Sequence, residues 1–286
     1  MRALSGELFK TIRRPAVWVC VIGLMAAAVT IGYAIPWLVE TFPPAGSSRG
    51  LPPGTTLADF KVALYPANFV RQTLQNWSTL GGVFALIVGV LLQGSEYGWS
   101  TIKTLYTQRE GRLVMLFGKL GTLVLVVLVL AVGVFAVDAA ASGAAATIDG
   151  KSLDYPDFLL IVKGDGAIFL IYCFWALFGF TLATLFRQSA IAIGLGLAYA
   201  LVIEVIIFGL IGGLGGDWVK QIQQWFPLAN TGYLASSFGT VSVRGLQTGG
   251  VHAFRDATHA VSVLLAYLVA FVLICSVLLR RRDVTS

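Results

Sequence analysis

The sequence predicts an all-α integral membrane protein with six transmembrane helices, and three observations carry that reading. Hydrophobic residues make up 57% of the 286 positions and charged residues only 12%, with a mean hydropathy of +0.83, outside the composition of an ordinary soluble domain. Cutting the chain at charges and Pro/Gly clusters leaves apolar segments near 16–39, 73–92, 113–137, 166–186, 190–214 and 259–279, each close to the ~20 residues a helix needs to cross a bilayer. Strands of a barrel would be half as long and would alternate, which these do not.

Residues 2–14 read as an interfacial helix, with Leu4, Leu8, Phe9 and Ile12 on one side and Glu7, Lys10 and Arg13 on the other. Pro15 then opens the first span. A basic start and an apolar core also suit a signal peptide, but the run is too long and lacks a small-x-small cleavage site before Glu40, so a retained anchor is expected. Between 40 and 68 the run FPPAGSSRGLPPGTT cannot hold a regular element and reads as an external loop. The second span begins with Arg71, Gln72, Gln75, Asn76 and Thr79, spaced by three and four along one helical stripe. The plain reading is a helix that starts above the bilayer; the functional one is a helix whose outer half lines a wet translocation path.

A polar break, residues 94–119, separates two long apolar runs. It carries Glu96, Lys103, Arg109, Glu110, Arg112 and Lys119 and is expected outside the hydrocarbon. Tyr97, Thr101 and Leu105 at four-residue spacing give it the pattern of a short helix along a membrane face, with a solvated loop as the alternative. After the third span, Asp138 and the run AAASGAAATIDGKSLDYPD read as an outer loop, with Asp138 just beyond the hydrocarbon. The fourth and fifth spans are joined by Arg187-Gln188-Ser189 alone, a tight hairpin. Ala192, Gly194, Gly196, Gly209, Gly212 and Gly213 crowd the fifth span, as close-packed membrane helices require.

Glu204 is the one charge between Arg187 and Asp217. A carboxylate inside a membrane costs roughly 2.5 to 3.5 kcal/mol on insertion scales, so it faces protein or water and often marks a transport path. At helical spacing Tyr199 is not on its face, so its partner should come from another span; a hydrogen-bonded structural glutamate is the alternative. Residues 217–237 place Trp218, Ile222, Trp225 and Phe226 on one helical face, with Lys220, Gln221, Gln223 and Gln224 opposite, an interfacial helix stopped by Pro227.

Positive charge sets the orientation. With the N-terminus inside, 12 Lys and Arg fall on inner segments and 8 on longer outer ones diluted by aspartates, so both termini should face the cytoplasm of a multi-pass protein in the cell membrane. The net charge of +6 follows from topology, and nucleic-acid binding is not needed to account for it.

Several chemistries are missing. Gly118-Lys119 has Leu113 where a phosphate-binding loop needs glycine and Leu120 where it needs Ser or Thr, so the chain should not hydrolyse ATP by itself and is not expected to be an enzyme. Cys20, Cys173 and Cys275 lie far apart inside apolar runs and suggest neither disulfide nor metal. His252 and His259 lack companion ligands and read as surface histidines.

Four stretches, in order, resemble the membrane subunits of ATP-binding-cassette exporters of the ABC-2 type. GELFKTIRRPAVWV resembles their opening connecting helix (residues 1–15 here). Glu96, Gly98, Thr101, Lys103, Leu105, Arg112 and Lys119 resemble the E-x-x-x-G-T-x-K-x-L…R…K signature of their coupling helix (94–112), although Gly98 and Thr101 are separated where the family often has adjacent Gly-Thr. WFPLANTGYLA resembles the segment before the last span that dips back into the membrane (within 217–237), and RRRDV resembles their tail.

The resemblance implies a single permease domain over 1–286, paired with a second copy or a paralogue. It further implies separate ATP-binding cassette subunits that hold ATP and magnesium, no cofactor in this chain, and lipid as the surrounding medium. Glu96, Gly98, Thr101, Lys103, Arg109 and Arg112 would touch the ATPase subunit, while Glu204 with Gln72, Gln75, Asn76 and Thr79 would line the path. The rival reading is an ion-coupled secondary transporter using Glu204, with a membrane-embedded enzyme third. The halves 1–140 and 141–286 show none of the internal repetition that carriers often carry.

Overall fold

The computed structural model describes residues 2–42, 60–98, 112–212, 217–239, 242–243, 246–247 and 256–281. The chain is a helical, multi-pass membrane protein. Among the described residues five helices are long and apolar enough to cross a bilayer, and a bent helix pair brings the number to six if it counts as one span. Among the described residues the one strand pairing is a short antiparallel one, Ser242–Val243 with Leu246–Gln247.

Helix α1 (Arg2–Ile12) lies against the third long helix and turns into α2 (Pro15–Val29) at a corner where the Trp18 indole donates to the Ile12 carbonyl at 2.7 Å. Its inward face is polar. Glu7 and Thr11 are buried, with Lys10 bonded to Glu7 at 2.7 Å, while Phe9 and Ile12 are exposed. A membrane surface suits this arrangement, because apolar side chains on the outside of such a helix meet lipid and not water.

The first span continues from α2 through a π-helical turn (Thr30–Ala34) into α3 (Ile35–Thr41). At its far end Asp149 accepts from the Trp37 indole at 3.2 Å, Lys61 at 3.3 Å and the Tyr65 hydroxyl at 3.1 Å. This clasp joins the first span, the 3-10 turn Lys61–Leu64 and the end of the third long helix. Burial and the bond to Asp149 push the Tyr65 phenol up to about 12, so it stays a neutral donor.

The second span is not one rod. Helix α4 (Phe69–Trp77) and α5 (Leu80–Gly98) meet at 54° across Ser78 and Thr79. The third is longer than its apolar run suggests: α6 (Arg112–Ile148) passes through Asp138 and the alanine-rich stretch, so that neither belongs to a loop. Alanine is the best helix former, and six of the eleven residues 138–148 are alanine, which lets the helix outlast its hydrophobicity. Asp138 is fully buried. Lys119, expected in the polar break, sits inside α6, buried, and donates to Gln93 of α5 at 3.0 Å.

Helix α7 (Phe158–Phe186) forms the centre of the bundle: 67% of its most apolar stretch is buried in the molecule, against 17% for the last helix. It starts eight residues before the apolar run at 166, taking in Lys163 and Asp165. It packs on α5 backbone to backbone. A Cβ on Gly89 would overlap the Ala176 carbonyl oxygen, and one on Gly179 would overlap the Leu86 carbonyl oxygen. These glycines, and not the fifth-span set, make the closest helix contact. Of the small residues singled out in the fifth span, Ala192 and Gly196 are pressed inward and Gly194 faces open space.

Arg187, in the left-handed conformation with φ 55°, ends α7. The chain reverses at once into α8 (Ser189–Ala198), a second π-helical turn (Tyr199–Ile203) and α9 (Glu204–Gly212). Two short helices follow, α10 (Asp217–Gln223) and α11 (Pro227–Ser236), before α12 (Ala257–Arg281). Phe174, Phe178, Tyr199, Tyr267 and Phe271 form a continuous aromatic cluster joining α7, the second π turn and α12, with neighbouring centroids 5.3 to 6.1 Å apart.

Candidate functional site

Two polar centres stand out inside an apolar bundle, and the one anticipated from sequence is Glu204. It is 3% exposed. Its Oε2 accepts the Tyr199 hydroxyl at 2.8 Å and the Leu228 N–H at 3.1 Å, while Oε1 accepts the Ala229 N–H at 2.9 Å. Leu228 and Ala229 are the second and third residues of α11, whose first is Pro227 and whose own N-cap, Phe226, has no side chain able to cap. The orphan N–H groups at the start of that helix are therefore met by a carboxylate from the fifth span. Its oxygens also sit at the end of the helix where the dipole favours an electron-rich group.

Tyr199 is a partner that periodicity misplaced. At about 100° per residue, five residues put it about 140° from Glu204. The stretch between them is π-helical, and in that geometry residues five apart lie one turn above the other. No sequence signal marked the π turn.

Helix α11 is buried on most sides and packs against α4, α7 and α12. Asn230 donates to the Gln224 and Phe226 carbonyls, both at 2.7 Å, and fixes the corner from α10. That corner is pinned to α12: the Tyr267 hydroxyl donates to the Trp225 carbonyl at 3.1 Å, and His259 contacts the Gln224 carbonyl at 3.1 Å and the Trp225 ring. His259 is thus a packing residue of the corner and not a plain surface histidine; His252 lies outside the described residues. Trp218, Ile222 and Trp225 are exposed, as an interfacial α10 requires. Pro227 both stops α10 and starts α11.

The polar stripe of the second span meets the other end of the same short helix. Gln75 donates to the Gly239 carbonyl at 3.2 Å and Arg71 to the Phe238 carbonyl at 3.0 Å, just past the C-terminus of α11. Gln72, Asn76 and Thr79 are half-buried beside them on α4 and at the bend. Glu204 and this stripe therefore do not bond one another. They hold opposite ends of a helix ten residues, about 15 Å, long.

Of the residues expected to touch an ATPase subunit, Glu96 and Gly98 fall in the last turn of α5 and Arg112 opens α6. Thr101, Lys103 and Arg109 lie outside the described residues, as does the tail from Arg282. The helix ends flanking that stretch are tied by the Lys119–Gln93 bond, by Arg14 donating to the Leu91 carbonyl at 3.2 Å, and by the fit of Gly94 against Ser189.

The second centre was not legible as a site. Asp138, Thr73, Trp77, Tyr33 and Tyr172 come together near the bend of α4 and α5, and only the Thr73 hydroxyl closes a bond to Asp138, at 2.7 Å. Cys20, Cys173 and Cys275 are free thiols, and among the described residues no three His, Cys, Asp or Glu side chains gather as a metal site. Residues 68–285 match the model of a family described as a protein of unknown function (DUF2705). No curated protein matches the chain.

Proposed function

We propose that this chain, which belongs to the DUF2705 family, is the membrane-spanning permease subunit of an ATP-binding-cassette exporter. Two permease halves, identical or paralogous, enclose the path, and separate ATPase subunits carry ATP and magnesium. The observation that carries the reading is α11, a short helix seated among α4, α7 and α12 directly after an amphipathic α10. It falls where the sequence resembles the exporter segment that dips back into the membrane. Glu204 and Gln75 hold its two ends, so movement of the second or fifth span would be transmitted to it. Glu96, Gly98, Thr101, Lys103, Arg109 and Arg112 form the ATPase contact in this reading, with Glu204, Gln72, Gln75, Asn76 and Thr79 along the path.

An ion-driven carrier using Glu204 is less well supported. Both of its oxygens are already occupied by Tyr199 and by two backbone N–H groups that cannot be moved without uncapping α11.

Purified alone, the chain is expected to show no ATP hydrolysis above background, and hydrolysis should appear when the cassette subunit that co-purifies with it is present. Robust hydrolysis by the polypeptide alone, or purification of active transporter without any cassette, removes the proposal. Orientation in the cell membrane is checked separately. In a cysteine-free background, Ser152→Cys should react with an impermeant thiol reagent from outside, whereas Thr104→Cys and Ser286→Cys should react only after the membrane is opened. Labelling of Thr104→Cys from outside would invert the topology and detach residues 94–112 from a cytoplasmic partner.

A further inference from the structure

Four stretches of the chain deliver polar side chains to one buried spot beside the 54° bend between α4 and α5. Asp138 of α6 is fully buried; its Oδ2 accepts the Thr73 hydroxyl, and its Oδ1 has no hydrogen-bond partner among the described residues. Tyr33 from the first π turn, Trp77 at the end of α4 and Tyr172 of α7 are each at least 96% buried. Their hydroxyl, indole N–H and hydroxyl are unpartnered as well. Both phenols lie within Coulombic reach of Asp138, and the Trp77 indole faces the same carboxylate without closing a bond of normal geometry. Glycine makes room for them. A Cβ on Gly32 would come 3.6 Å from the Trp77 Nε1, and one on Gly81 would overlap the Tyr172 hydroxyl.

Buried polar atoms in folded proteins are nearly always hydrogen-bonded, so four open ones at one place call for a ligand. The residue types say which. The indole N–H can only donate, the Asp138 carboxyl offers an open oxygen, and each phenol can do either. A metal cation would be repelled by the indole hydrogen, and an anion would meet the oxygens of Asp138 and the phenols. Water donates to the carboxylate, accepts from the indole and pairs with the phenols in either sense, and a buried water typically takes two to four such partners.

We propose that Asp138, Tyr33, Trp77 and Tyr172 form a binding site for ordered water that bridges the carboxylate to the three ring groups and fills the wedge of the α4–α5 bend. The site does not depend on the transport reading. It makes the bend a hydrated joint, with water filling the gap that the break between α4 and α5 leaves in the packing.

Radiolytic hydroxyl-radical footprinting of the detergent-solubilised chain tests this, because radicals formed from bound water oxidise the side chains that hold it. Tyr33, Trp77 and Tyr172 should be oxidised several-fold faster than the equally buried Phe180, and oxidation at Trp77 and Tyr172 should fall several-fold in Asp138→Leu. If that variant does not fold, the Tyr33→Phe, Tyr172→Phe double variant read at Trp77 decides in its place, since it removes two of the water's partners. Protection of all three rings to the level of Phe180 overturns the proposal, as does labelling unchanged in a folded variant. Labelling that shifts when sodium is replaced by a bulky organic cation would make this a cation site and would overturn it too.

Discussion

Gly89→Ala is expected to destabilise the chain more than almost any other added methyl, at or above the top of the ~1 to 3 kcal/mol that overpacking costs. The reason is the identity of the obstacle. At Gly81 and Gly82 a Cβ would meet the rings of Tyr172 and Trp175, which can turn aside at some cost; at Gly89 it meets the Ala176 carbonyl, part of the α7 backbone. Relief would require α5 and α7 to separate along the contact that holds the centre of the bundle. Gly179, set against the Leu86 carbonyl, should behave alike. Gly194→Ala is the control: nothing lies within 4 Å of its Cβ, and replacing glycine by alanine in a helix gains about 1 kcal/mol. Thermal unfolding in detergent followed by tryptophan fluorescence separates them. If Gly89→Ala melts with Gly194→Ala, the backbone contact between α5 and α7 does not govern stability.

The spans were legible because hydrocarbon demands long uncharged runs, and 113–137 or 259–279 can be little else. What periodicity could not show is where a helix stops being regular. Ser78 and Thr79 carry no Pro or Gly, yet α4 and α5 part there, because Arg71 and Gln75 are drawn to the Phe238 and Gly239 carbonyls while Leu80 onward follows α7. The π turns at 30–34 and 199–203 likewise have no signature in residue type, and the second puts Tyr199 over Glu204, which straight helical counting places elsewhere. Asp138 reads as part of a loop in sequence because a charge ordinarily ends a span. Burial with four polar neighbours was the other way to accommodate it, and only tertiary contacts reveal those neighbours. Glu204 was legible as an anomaly. Its partners were not, since two are backbone groups 24 and 25 residues away.

Glu204→Leu should therefore cost about 3 to 5 kcal/mol, the range for removing one partner of a buried charged cluster. It leaves the Leu228 and Ala229 N–H groups and the Tyr199 hydroxyl without an acceptor, and each unmet donor costs about 1 to 3 kcal/mol. Glu204→Gln keeps shape and one acceptor oxygen but turns an amide NH2 toward a donor, so it should fall between leucine and wild type. Tyr199→Phe removes a single donor and leaves both backbone bonds, so about 0.5 to 1.5 kcal/mol is expected. The order Leu, Gln, Tyr199→Phe, read as loss of melting temperature, is what a cap on α11 requires. A folded Glu204→Leu protein that melts with wild type would show that α11 does not depend on the carboxylate. Transport is the second readout. With α11 loosened at its start, the Gln variant should retain most of its folded protein in the membrane yet export more slowly or with altered preference. Wild-type export by the Gln and Leu variants alike, across several candidate substrates in vesicles energised with ATP, would take Glu204 off the path whatever its effect on melting.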